Sequence, residues 1–159
     1  MNSVNSTLKI RLATAVDAHK LSQLIAQNAQ LLLKPHYSEE QLKTFLYYYE
    51  TEVILEKMTR QTVFCAEING EIVGTIALEG KFVMGFYTQT DKIGLGIGTS
   101  LLKHLENYAQ SQGLSKLWLS ASPIGVQFYQ NRGWVKVKDF VVDYLGVGFE
   151  ETLMLKKLI

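Results

Sequence analysis

Apolar residues recur along the chain with two different periods, and the switch between them divides it into segments. Lys9-Ile10-Arg11-Leu12 alternates polar and apolar, which predicts a short strand. Thr14 is placed to cap a helix, with Asp17 three residues on to suit its positive end. Leu21, Leu24, Ile25, Asn28, Leu31 and Leu32 follow at helical spacing until Pro35 breaks the pattern. Ser38-Glu39-Glu40-Gln41 reads as a capping box, in which the Ser38 hydroxyl and the Gln41 side chain satisfy orphan amides. Leu42, Phe45, Leu46 and Tyr49 form the stripe of a second helix, and a further short helix over 52–58 carries Val53, Ile54, Leu55 and Met58.

The period then changes. Residues 62–68 and 71–79 are rich in strand formers and flank Asn69-Gly70, a two-residue hairpin turn whose residues both tolerate positive φ. Gly80 marks another turn, and 82–88 completes an antiparallel meander. A glycine-rich loop leads into an amphipathic helix that buries Ile97, Leu101, Leu102, Leu105, Tyr108 and Ala109 and ends at Gly113. Leu117-Trp118-Leu119 is a short buried strand. Pro123 opens a helix carrying Val126, Phe128 and Tyr129 that stops at Gly133, and 134–142 and 149–155 read as closing strands. The order β-α-α-β-β-β-α-β-α-β-β predicts an α/β fold: a single mixed, mostly antiparallel sheet flanked by helices.

Composition narrows the class. The 159 residues fit one domain, 1–159, with 1–7 as a flexible tail; 47% are hydrophobic and 19% charged, so the chain can fill a core. A net charge of +1 gives no basic excess for nucleic acid. Cys65 is the only cysteine, which excludes an internal disulfide and a cysteine-based zinc site. His19, His36 and His104 show no metal-ligand spacing, so no metal is expected. The start is polar, without a signal core, and no apolar run reaches membrane-spanning length; the expected location is the cytoplasm, with no membrane partner.

Ile93-Gly94-Leu95-Gly96-Ile97-Gly98-Thr99 is the informative segment. A helix start leaves amides unpaired at its electropositive end, and glycines let an anion approach the backbone, so strand, loop and helix together make a phosphate cradle. The dinucleotide fingerprint needs a glycine where Thr99 stands, and the P-loop's Gly-Lys-Ser/Thr run does not occur. A tight strand-to-helix turn would use the same small residues.

With the order of elements added, the chain resembles the GNAT acyltransferase superfamily. Its acyl-CoA loop, Gln/Arg-x-x-Gly-x-Gly/Ala, corresponds to 93–98: Gly96 and Gly98 match and Ile93 departs from the polar residue. The family's Asn-x-x-Ala-x-x-Phe-Tyr-x-x-x-Gly-Phe block corresponds to 122–134: Phe128, Tyr129 and Gly133 match, while Ser122, Gly125 and Trp134 stand in. Phe86-Tyr87-Thr88 resembles its Leu-Tyr-Val segment. The resemblance covers about 8–157 in element order and is specific over about 82–134.

The resemblance implies a sheet whose strands splay at the acyl-CoA site, and transfer of an acyl group, usually acetyl, from coenzyme A to an amine by direct attack. The expected donor contacts are Phe86, Tyr87, Thr88, Ile93, Gly94, Leu95, Gly96, Ile97, Gly98, Thr99, Ser122, Gly125 and Phe128. Tyr129 would return a proton to sulfur. Strand 82–88 carries no acid, and Met84 sits about where one is expected; Glu79 and Glu67 are the candidate bases, and none is needed if the amine arrives neutral. The acceptor pocket is expected between the first two helices and the late strands, with His36 and Tyr37 as substrate residues beside Tyr47, Tyr48, Tyr49 and Tyr144.

Three function classes stand at this point: an N-acetyltransferase acting on a small-molecule or peptide amine, a non-catalytic acyl-CoA binder or sensor, and a structural module that would not need the cradle. Phe140, Val141, Val142, Tyr144, Leu145 and Phe149 could bury against a second copy, which makes a homodimer a candidate assembly.

Overall fold

The structure is a computed structural model that describes residues 7–159, so the expected tail lies, apart from Thr7, outside the described residues. The strands are β1 (Lys9–Leu12), β2 (Thr62–Ile68), β3 (Glu71–Glu79), β4 (Phe82–Thr88), β5 (Lys116–Ala121), β6 (Val135–Tyr144) and β7 (Val147–Lys157). They form one sheet in the order β1-β2-β3-β4-β5-β7-β6, antiparallel except where β4 meets β5. The helices are α1 (Ala18–Asn28), α2 (Glu39–Tyr48), α3 (Thr51–Lys57), α4 (Ile97–Ser111) and α5 (Val126–Gln130).

Both faces of the sheet's centre are covered, which is why β3 is buried without alternation from Ile72 to Leu78. Cys65 and Ile72 pack with Leu21, Leu24, Ile25 and Ile54 of α1 and α3. Phe64, Val73 and Ile76 pack with Leu101, Leu102 and Leu105 of α4, and Trp134 and Met154 join them. Gly74 lets α4 lie close: a Cβ there would stand 2.8 Å from Leu101 Cδ1 and 3.1 Å from Ile97 Cγ2.

Four local expectations are corrected. Thr14 caps a 3-10 turn, Ala15–Asp17, that precedes α1, and its N–H donates to Asp17 Oδ2 at 2.8 Å. After α1 the chain makes a π turn, Ala29–Leu33, whose extra residue shifts the helical phase; Ala29 and Leu33 are buried, while Leu31, expected on the stripe, is 58% exposed. Pro123 lies in a turn and α5 begins only at Val126. The closing strands are longer than expected, because Leu145 and Gly146, at φ 54 and 82, close a tight hairpin in which Asp143 Oδ1 accepts from the Gly146 N–H at 2.9 Å.

Candidate functional site

The sheet opens where β4 and β5 run parallel. They are in register only at Phe82 and Trp118, whereas β5 pairs with β7 along its length. β4 also carries a bulge: Thr75 faces Tyr87 but Ala77 faces Met84, and Gly85 absorbs the extra residue at φ 51. The parting strands leave a cavity of about 960 Å³, lined by β4 from Phe82 to Thr88 and by Leu119, Ser120 and Ser122.

The glycine loop stands at this cavity. Gly96, at φ 84, is the N-cap of α4, and Gly94 lies at φ 90; a Cβ on either would meet nothing within 4 Å. Their torsions demand glycine, and the space beside them is free for a ligand. Ile93, Gly94, Gly96, Ile97, Gly98 and Thr99 line the cavity. Leu95, 68% exposed, does not. Lys92 and Arg132 also line it and were not foreseen. The Arg132 guanidinium stacks 3.6 Å from the Phe128 ring centre and donates to Thr99 Oγ1 at 2.8 and 3.0 Å, tying α5 to the first turn of α4. Thr99 Oγ1 is the acceptor in both bonds, which leaves its own O–H to donate.

Tyr129 sits against Phe86, Phe128 and Trp134, with ring centres 6.1, 5.4 and 6.0 Å away. Gly125 gives it room, since a Cβ there would lie 3.4 Å from Tyr129 Cε2. Burial holds the Tyr129 phenol well above its ordinary pKa. Phe86, Ser122, Gly125 and Phe128 share this part of the lining. Thr88 lines the cavity, and its carbonyl accepts from Asn28 Nδ2 at 2.9 Å, pinning the end of β4 to the end of α1.

The opposite wall is aromatic. Tyr48 meets Tyr144 at 4.9 Å, Tyr144 meets Phe149 at 5.3 Å, and Phe149 meets Tyr37 at 5.3 Å. Phe45 then links Tyr37 to Tyr49, and the Tyr87 ring packs on both Phe45 and Tyr49 rather than beside the glycine loop. Tyr47 and His36 are exposed and do not line the cavity. Glu67 is also away from it, held by Arg11 at 3.2 Å. Glu79 lines it, but its Oε1 already accepts from Arg60 at 3.1 Å and Gln61 at 3.0 Å.

Glu151 of β7 lines the cavity among these rings, and burial pushes its carboxyl up to about 7. Sequence reasoning missed it. Its signal was the alternation Phe149, Glu151, Leu153, Leu155, which puts a carboxylate in an apolar file.

A search of curated proteins finds no match. The family model described as an acetyltransferase (GNAT) domain matches residues 33–151. The chain belongs to the GNAT acetyltransferase family. The matched segment runs from one lining residue, Leu33, to another, Glu151. Solved GNAT structures agree in fold. A GCN5-related N-acetyltransferase from Rhodopseudomonas palustris is 26% identical at a TM-score of 0.89, over 99% of this chain and all of that one. The PaiA N-acetyltransferase from Thermoplasma acidophilum, in complex with coenzyme A, is 19% identical at 0.81, over 95% and 99%. An aminoglycoside 6'-N-acetyltransferase complexed with coenzyme A is 17% identical at 0.67, over 95% and 97%. Among the described residues no helix of this GNAT protein is long and apolar enough to cross a membrane.

Proposed function

We propose that this GNAT protein transfers an acetyl group from acetyl-CoA to a primary amine of a small molecule or peptide, by direct attack in a ternary complex. The decisive feature is that one cavity contains the open glycine cradle, Tyr129 and the aromatic acceptor wall. The two neighbours complexed with coenzyme A support the choice of donor.

Acetyl-CoA supplies an acyl group already activated as a thioester. The chain's residues do the rest. Backbone amides of Gly94, Gly96, Ile97 and Gly98 would face the pyrophosphate at the electropositive end of α4, with Lys92 and Arg132 adding charge at the same wall. Ile93 costs little there, because the backbone carries the contact. Phe86 and Phe128 flank the pantetheine arm. The bulge at Gly85 takes β4 out of ladder register, so a backbone amide beside it is free to hold the thioester carbonyl. Tyr129, kept protonated by burial, gives its proton to the departing sulfur as the C–S bond breaks, and the proton shed by the attacking nitrogen as the C–N bond forms restores the phenol. Glu79 Oε1 accepts from Arg60 and Gln61, and attack by a neutral amine needs no carboxylate base. The amine attacks from its neutral fraction, so turnover rises with pH toward the amine's own pKa.

Calorimetric titration with acetyl-CoA and CoA tests the site, repeated after Gly96→Asp, which puts bulk and negative charge into the cradle. Saturable binding by the wild type and none by the variant is expected. Failure of the wild type to bind at millimolar ligand overturns the proposal. Binding without thiol release for any amine returns the non-catalytic binder.

A further inference from the structure

The aromatic wall holds a charge that the protein leaves unanswered. Among the described residues, none donates a hydrogen bond or a salt bridge to Glu151, although it sits half-buried in the cavity beside Tyr37, Tyr49 and Tyr144. An unpaired carboxylate in such surroundings is costly, and aromatic faces offer a cation their negative quadrupole. The cavity's nearby cations are engaged. Lys57 Nζ donates to the Tyr48 carbonyl at 2.7 Å and lies 4.1 Å over the Tyr49 ring, and Arg60 is bound to Glu56 and Glu79. Lys92 and Arg132 belong to the glycine-loop end.

Position separates Glu151 from the reacting centre. Its charge acts on the Tyr37, Tyr49 and Tyr144 phenols, and Tyr49 in turn acts on Tyr129. The rings packed on Tyr129 (Phe86, Phe128 and Trp134) are a different set from those that join Tyr37, Tyr49 and Tyr144 around the carboxylate.

We propose, on the acetyltransferase reading, that the acceptor is an amine carrying a second cationic group, held by Glu151 and the faces of Tyr144 and Phe149 while its other amine meets the thioester. The protein supplies the carboxylate and the rings; the substrate supplies the missing positive charge.

Two measurements test this. Calorimetry of the CoA-saturated protein with 1,4-diaminobutane, 4-guanidinobutylamine, butylamine and 4-aminobutanoate reads the site without turnover. One or both dications should bind at least about 30-fold more tightly than butylamine, with 4-aminobutanoate weakest. Glu151→Gln should erase that preference while leaving CoA affinity unchanged, which also shows that the variant is folded. Tyr144→Phe should keep the preference, and Tyr144→Leu should reduce it by about 3–10-fold. Thiol release from acetyl-CoA with the same amines should follow the same ranking through KM. Equal binding of butylamine and both dications, or a dication preference that survives Glu151→Gln, overturns the proposal. A Glu151-dependent preference without turnover of any amine leaves the cation site standing and overturns the acetyltransferase reading.

Discussion

Asp17 and Glu151 are carboxylates that their surroundings drive in opposite directions. Hydrogen bonds from the Arg11 guanidinium, at 2.9 and 3.0 Å, hold Asp17 down to about 2. A depressed carboxyl stabilises the fold above its unfolded pKa, and that support is lost as pH falls through the folded value. Asp17→Asn should therefore cost about 1–3 kcal/mol at pH 7, and urea titrations should show the difference closing toward pH 2. Glu151 has the reverse sign. Raised to about 7 by burial, it favours the fold only while protonated, and this is lost as pH rises through that value. Glu151→Gln should melt like the wild type near pH 4 and above it at pH 8, by about 1–2 kcal/mol once solvent screening is allowed for. Tyr129→Phe belongs to chemistry instead. It keeps the ring packed on Trp134 and should lower kcat by about 100-fold or more with acetyl-CoA affinity unchanged, read by single-turnover kinetics.

Among the elements, α4 is held on one side and open on the other. Gly74 beneath it has no spare space, so Gly74→Ala forces Leu101 and Ile97 apart and should destabilise the protein by about 1–3 kcal/mol in thermal melts. At Gly98 an added Cβ would meet Phe86, Phe128 and Thr88 at 3.5 Å or more, an ordinary contact. Gly98→Ala should hold its melting temperature and bind acetyl-CoA about as tightly as the wild type in calorimetry, because the contacts are ordinary and the pattern Gln/Arg-x-x-Gly-x-Gly/Ala admits alanine at this position. Most elements were legible in the sequence, since the hairpin at Asn69-Gly70, the capping box at Ser38 and the stripe of α4 are local signals that packing reinforces. The misses have local causes. The π turn at Ala29–Leu33 has no residue signature, so the stripe was continued onto Leu31. Leu145 takes a positive φ that its side chain disfavours, and with only Gly146 to signal the turn the closing strands read short.

Across the whole molecule, the glycine loop and Tyr129 could be read because each sits in a contiguous run of residues. The acceptor wall could be read only in outline. Tyr37, Tyr49, Tyr144 and Glu151 come from a loop, a helix end, a hairpin and a strand, and no sequence period relates them. Their meeting follows from the order that places β7 beside β5, and from α2 reaching that hairpin, where Gln41 Nε2 donates to the Gly148 carbonyl at 2.8 Å. The lone register pair between Phe82 and Trp118 divides the sheet mechanically. Four strands lie on one side and three on the other, so the molecule is two plates meeting at a single rung. Away from that rung the plates are braced from outside: Arg132 grips Thr99, and Lys156 Nζ reaches Glu106 Oε1 and the Arg132 carbonyl, both at 2.7 Å. The core under α4 is shared by both plates, so the gap between them is held open by packing, and whatever lies in it becomes the missing rungs. Amides of β4 and β5 that exchange fast with deuterium in the free protein should slow together once the gap is filled, as though the sheet had gained a strand that the chain itself does not encode.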